Sequence, residues 1–266
     1  MDQVVTVRAS SWGRLFDCAH SWEGQFILGM HRPAGMPALL GTAIHAGSAA
    51  YDSGRMTGNV IRPTDAVEVM NDALLHPEQE YDLTNADMTL DAASKAGAKA
   101  LVRYCVEISP RYTFLAVERK LSPMDIHVDG VTIRLTGSMD RARTVQSGHG
   151  KGISDVKTGA RAVKDGEAVT SKHKAQLGTY ELLEEHETGV RCTLPGEVIA
   201  LPTSGTSAPV VGTVENARQA MVGTPGRPGL LHYAAAMFRS GLFPPNPQSS
   251  LCSQKYCSRW DSCTFR

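Results

Sequence analysis

No stretch of this 266-residue chain approaches the run of about 18 apolar residues that a membrane-spanning helix needs. The N-terminus, MDQVVTVRAS, lacks the basic-then-apolar plan of a secretory leader. Both absences set the expectation of a cytoplasmic protein without a membrane partner. Charge bias is missing too: 27 Lys and Arg stand against 27 Asp and Glu, so no global field draws the chain to nucleic acid and any such contact must be local. The pattern GxxxxGK[ST] is absent, which excludes a P-loop ATP motor. There is no internal repeat and no long low-complexity tract. What remains, 42% hydrophobic and 20% charged residues, fits a globular fold with room for one large domain or two small ones.

Six cysteines without an export signal are poor evidence for disulfides, because a reducing compartment leaves thiols free for metals. Cys252, Cys257 and Cys263 cluster in the tail, separated by four and five residues, whereas Cys18 lies more than two hundred residues away. Three clustered thiolates and one remote partner complete a four-thiolate site only if the chain ends meet. Spacing alone leaves zinc and an iron-sulfur cluster both open. Cys105 and Cys192 stand outside this set and read as buried structural thiols.

Apolar spacing predicts a helix over 10–29, a second opening at Gly41 and Thr42 with His45 in its first turn, and further helices over 65–75 and 89–108. From Tyr112 the period changes. TFLAVERKL, MDIHV, VTIRLTGSMDRARTV and GISDVKT are short, β-branched and punctuated by Gly, Pro or Asp, as neighbouring strands are. A helix over 167–185, strands at EVIAL and VVGTV, and helices over 215–222 and 229–240 follow. This succession implies an α/β domain, a mixed sheet flanked by helices. The expected division is 1–110 as a helical N-terminal part, 111–240 as the core and 241–266 as a cysteine tail, all within one domain.

In ISDVKTG, Asp155 and Lys157 are two apart on a strand and therefore share a face. Asp140 ends the preceding strand, so adjacent strands would bring two carboxylates together. That arrangement suits Mg2+ or Mn2+, which binds through one or two carboxylates and keeps room for phosphate oxygens. Taken singly, an Asp-x-Lys pair is an ordinary solvated strand edge. His45 in GTAIHAG is a further candidate ligand, although a lone helical histidine is more often a satisfied core residue. Gln176 and Tyr180, four apart, share a helix face and offer an amide and a phenol. Cations flank these motifs: Arg141 and Arg143 after Asp140, Arg161 and Lys164 after the Asp155 strand, and Lys172 and Lys174 before Gln176. They are the candidate DNA contacts, with solvated loop charge as the bland alternative.

The order His45, Asp140, Asp155-x-Lys157, Gln176-x-x-x-Tyr180 resembles the RecB-like branch of the PD-(D/E)xK nucleases over most of the chain. The resemblance implies a restriction-endonuclease-like core, with His45, Asp140 and Asp155 as ligands of Mg2+ or Mn2+, Lys157 as the catalytic lysine, and Gln176 and Tyr180 completing the site. Met139 replaces the motif proline, and Asp155 stands where Glu is commoner. Glu118 in LAVERKL is similar to an acidic position of some relatives, but reads more simply as an exposed strand glutamate, accessory at most. The segment SxxxxxxC ending at Cys18, with the tail cysteines, resembles the 4Fe-4S nucleases of AddB and of CRISPR adaptation. The four residues between Cys252 and Cys257 depart from the usual two. The implied function is a metal-dependent exonuclease acting on DNA with single-stranded ends, in recombination, end processing or CRISPR adaptation, phage-encoded or CRISPR-associated, with a partner protein from such a pathway. A homo-oligomer is compatible with the sequence, but nothing in it requires one. The alternative is a non-catalytic, cluster- or zinc-stabilised DNA-binding or assembly module.

Overall fold

A mixed six-stranded sheet carries the molecule, and its two longest strands are joined by a two-residue turn. The computed structural model describes residues 3–84, 86, 88–145 and 148–266. In chain order the elements are β1 (Gln3–Arg8), α1 (Trp12–Asp17), α2 (Ala19–Phe26), α3 (Met36–Thr57), α4 (Pro63–Leu75), α5 (Leu90–Arg103), β2 (Thr113–Val128), β3 (Val131–Thr144), β4 (Gly152–Thr158), β5 (Val163–Lys164), β6 (Glu167–Ala168), α6 (Lys174–Thr188), β7 (Gly196–Leu201), β8 (Val210–Val214), α7 (Ala217–Val222), β9 (Gly223–Thr224), β10 (Arg227–Pro228) and α8 (Leu230–Ser240). Among the described residues no helix is long and apolar enough to cross a membrane.

β2 and β3 form a long antiparallel hairpin closed by Asp129 and Gly130, at φ 50° and 79°. Asp-Gly at positive φ is the sequence that a two-residue hairpin turn demands. Ser122 and Pro123 do not end β2. The strand continues across a register shift between Leu121 and Met124, so two predicted strands are one. The other edge of β3 is shared: its first half pairs in parallel with β1, and its last residues pair antiparallel with β4. β4 continues in parallel to β7, and β7 antiparallel to β8. Asp140 falls where the β3 edge passes from one neighbour to the other.

Each sheet face has its own core. One contains Trp12, Leu15 and Trp22 of α1–α2 with residues of α6, α7 and α8 against β1 and β3. The other packs α3, α4 and α5 on Val156, Ile199 and Leu201. Gly47 lets α3 approach its neighbours closely, since a Cβ there would lie 2.5 Å from Leu101 and 2.6 Å from the Ala66 carbonyl.

Several elements differ from the sequence expectation. β1 lies in the sheet rather than in a purely helical part. The helix expected over 10–29 is two, broken at Cys18, whose backbone is extended at φ −146°. α3 starts five residues before Gly41, which puts His45 mid-helix. The helix expected from 167 begins at Lys174, because Asp165 and Gly166 turn a small hairpin between β5 and β6.

Candidate active site

The fork where β3 leaves β1 and meets β4 gathers most of the chemistry-bearing residues. Asp140 is buried, and its Oδ2 accepts the backbone N–H of Val156 at 2.7 Å. That bond fixes the carboxylate of β3 against the β4 residue lying between Asp155 and Lys157. From α3, His45 Nδ1 stands 3.6 Å from Asp140 Oδ2 and 3.5 Å from Glu118 Oε1. Ligand atoms of His45, Glu118 and Asp140 all lie within 4.8 Å of one another, a spacing that could hold a metal ion.

Glu118 is the residue that sequence reasoning undervalued. β2 pairs Val117 with Arg141 and Arg119 with Met139, so Glu118 lies opposite Asp140. Its backbone is left-handed, φ 44°, within a strand, a strained conformation for a side chain of this size. With 37% of its side chain exposed it has an open approach, which Asp140 at 9% lacks. Asp155 lies outside the 4.8 Å group, across the Val156 bridge.

Asp155 is fully buried and forms the second part of the site. Its Oδ2 lies 2.6 Å from Lys157 Nζ, and its Oδ1 accepts from Gln176 Nε2 at 3.0 Å. The same amide nitrogen donates to Tyr180 Oη at 3.0 Å. The structure therefore links Asp155, Lys157, Gln176 and Tyr180 into one chain of contacts.

The protonation balance favours added positive charge. Burial pushes the Asp155 carboxyl up, and the Asp140 carboxylate adds to that, while Lys157 pulls against both. Burial alone would lower Lys157 and His45, but the surrounding carboxylates outweigh it and raise both, Asp155 and Asp140 at Lys157, Asp140 and Glu118 at His45. Burial, then Asp155 and Asp140, keep the Tyr180 phenol protonated. Despite the nearby ammonium, Asp155 Oδ2 is buried with no hydrogen bond of good geometry. Three convergent candidate ligands beside the buried, ion-paired Asp155 carboxylate fit a divalent cation.

Two expected DNA contacts are excluded by burial. Arg141 is fully buried and ion-paired with Asp52 at 2.7 Å. Arg143 is nearly so, 2.8 Å from Glu197 and donating to Ser154 and the Pro195 carbonyl. Both lie on one face of the β3 end, and these guanidiniums tie α3, β4 and β7 together rather than face solvent. Arg161, Lys164, Lys172 and Lys174 are exposed.

The chain ends do meet. Cys18, Cys252, Cys257 and Cys263 line one cavity, together with Arg14, Asp17 and His20. Asn246 donates its backbone N–H to Cys18 Sγ at 3.4 Å and its amide to the Asp17 carbonyl at 2.9 Å. Arg259 pairs with Glu23, and Arg32 with Asp261 at 2.9 Å, strapping the tail to α2 and the segment after it. Cys105 and Cys192 do not line this cavity. Burial raises both thiols, to about 12.

A search of curated proteins found no match. Among solved structures, a "Putative exonuclease" from Eubacterium rectale is similar at 13% identity and a TM-score of 0.53, over 92% of this chain and 86% of that one. A protein named SSO0001 aligns at 11% identity and a TM-score of 0.42, over 97% and 86% of the two chains. The family model of the PD-(D/E)XK nuclease superfamily matches residues 9–264, and the chain belongs to that superfamily.

Proposed function

We propose that the protein is a divalent-metal DNA exonuclease of the RecB-like branch of its superfamily, with a four-cysteine cluster site tying its ends together. The observation that carries the nuclease reading is the convergence of His45, Glu118 and Asp140 beside the buried Asp155–Lys157 pair. His45, Glu118, Asp140 and Asp155 would hold Mg2+ or Mn2+, which when bound supplies Lewis-acid polarisation of the scissile phosphate and offsets its growing negative charge. Lys157 keeps its proton and has 26% of its side chain exposed, so its ammonium can reach both Asp155 and a substrate phosphate. Gln176 and Tyr180 hold the Asp155 carboxylate in one orientation. The exposed cations Arg161, Lys164, Lys172 and Lys174 flank these motifs in sequence and would contact the DNA backbone.

The family supports a nuclease, and the name of the Eubacterium rectale neighbour is what favours dependence on DNA ends. The decisive assay offers end-labelled single- and double-stranded linear DNA and closed circular DNA with Mg2+ or Mn2+ to the parent and to Asp155→Ala. Release of nucleotides from linear DNA alone, lost in the variant, is the expected result. Equal activity in both proteins rejects the assigned site, cleavage of circles rejects the exonuclease, and binding without hydrolysis favours a non-catalytic DNA-binding module. A role in recombination, end processing or CRISPR adaptation, with a partner protein, follows from the resemblance.

The cluster reading rests on the shared cavity of Cys18, Cys252, Cys257 and Cys263. The resemblance of this cysteine set to that of the iron-sulfur nucleases favours a 4Fe-4S cluster over zinc. A brown protein whose visible absorbance disappears in Cys257→Ala is expected, and a colourless protein with stoichiometric zinc refutes it.

A further inference from the structure

We infer that Arg141 is a positioning residue of the cation site: anchored on Asp52, its guanidinium fixes the Glu118 carboxylate where it faces His45 and Asp140. This rests on the reading of His45, Glu118 and Asp140 as metal ligands and adds to it a device behind them.

All three guanidinium nitrogens of Arg141 are engaged. Nε donates to Asp52 Oδ2 at 2.7 Å, and one terminal nitrogen donates to Ser48 Oγ at 3.0 Å. The other is shared between the Asp140 carbonyl at 2.8 Å and Glu118 Oε1 at 3.2 Å. One buried cation thus holds the backbone of one candidate ligand and the carboxylate of another. The oxygen it holds, Oε1 of Glu118, is the same atom that faces His45.

Asp52, on α3 like His45 and Ser48, is fully buried and would be an expensive charge if Arg141 were its only partner. Two hydroxyls complete its shell: Ser109 Oγ donates to Oδ1 at 2.5 Å and Tyr104 Oη to Oδ2. These residues are five apart. On a regular α-helix they would point about 140° from each other around the axis. Here the chain widens into a single π turn over Tyr104–Ile108, with the Ser109 N–H bonded to the Tyr104 carbonyl, and both hydroxyls reach one carboxylate. Arg55 bonds the Ser109 carbonyl at 2.6 Å and holds that turn from α3.

Glu118 is where such support is needed. Its left-handed backbone is strained within a strand, and its side chain is partly exposed. It pairs with His45 and with Arg141, and the guanidinium offsets the strain and selects one carboxylate orientation. A lysine could not replace it, since a single ammonium cannot span Asp52, Ser48, the Asp140 carbonyl and Glu118 at once.

The test measures Mn2+ binding to the full chain without DNA, by titration calorimetry and by the EPR signal of free Mn2+. It compares the parent, Glu118→Gln, Arg141→Lys, Tyr104→Phe and the double variants that combine each of the last two with Glu118→Gln. Arg141→Lys should weaken Mn2+ about 10- to 100-fold, the range seen when support of a metal ligand is lost. Tyr104→Phe keeps the Asp52–Arg141 pair and should fold even where Arg141→Lys does not, with a smaller weakening of a few-fold. In the Glu118→Gln background neither change should weaken binding further. Unchanged Mn2+ affinity in the folded variants, or an equal loss with and without Glu118, overturns the positioning role and leaves a purely structural one. A parent that binds no Mn2+, or binds it as well after Glu118→Gln, instead overturns the ligand assignment beneath it.

Discussion

The Asp140 carboxylate on β3 accepts the backbone N–H of Val156 on β4 at 2.7 Å, so one side chain both faces the candidate cation site and joins two strands at their fork. Substitution should separate these roles. Asp140→Asn keeps an acceptor for the Val156 N–H and should remain within about 1 kcal/mol of the parent in urea unfolding while losing nuclease activity. Asp140→Ala leaves a buried N–H unpaired and should lose about 1–3 kcal/mol in addition. Equal stability of the two variants would mean that the strand tie contributes nothing.

Gln176 is expected to act through Asp155. Its amide is the donor that orients Oδ1, so Gln176→Ala should lower activity about 10- to 100-fold and weaken Mn2+ binding, with a small change in melting temperature. Tyr180→Phe removes only the phenol oxygen at the far side of that amide and should have a smaller effect of the same kind. A Tyr180→Phe loss exceeding that of Gln176→Ala in single-turnover assays would assign the phenol a direct contact with substrate instead.

How much of this site could be read in the sequence depended on how local each relationship is. Asp155 and Lys157 share a face through the two-residue period of a strand, and Gln176 and Tyr180 through one helical turn, so the linear spacing predicts their meeting. Glu118 against Asp140 depends on the β2–β3 register, and the shift between Leu121 and Met124 moves it in a way that no periodicity announces. Arg141 and Arg143 look solvated because β3 flanks them with small residues. Their burial comes from elements distant in sequence, α3 over Arg141 and β4 and β7 beside Arg143. The misplaced start of α6 did have a local signal, the Asp165-Gly166 pair, which marks a hairpin as clearly as Asp129-Gly130 does. The break at Cys18 had none, because the apolar spacing runs through it.

On α6, Glu184 is almost wholly buried between Arg119 of β2 and Lys151 just before β4. Glu184→Ala leaves two cations short of their counter-charge and should destabilise the fold by about 3 kcal/mol, the low end for a buried pair because Arg119 is one-third exposed. Nuclease activity per folded molecule should be unchanged well below the melting temperature. Loss of activity in a fully folded variant would instead tie this network to the site.

Glu181, one turn before Glu185 on the same helix, should give the opposite result. Burial raises its folded-state pKa above the unfolded value, although the Arg218 N–H, donating at 2.9 Å, and the Arg218 and Arg191 charges pull it down. A carboxyl with a raised pKa binds more protons folded than unfolded between the two values, so its contribution to stability falls as pH rises through that window. Above the window the charged form carries the full penalty, and below the unfolded value of about 4.3 there is none. Glu181→Gln keeps an acceptor for Arg218 and removes the charge, so it should be more stable than the parent at pH 7 by a margin that vanishes towards pH 4. Parallel stability curves across that range would show that burial of Glu181 carries no such penalty.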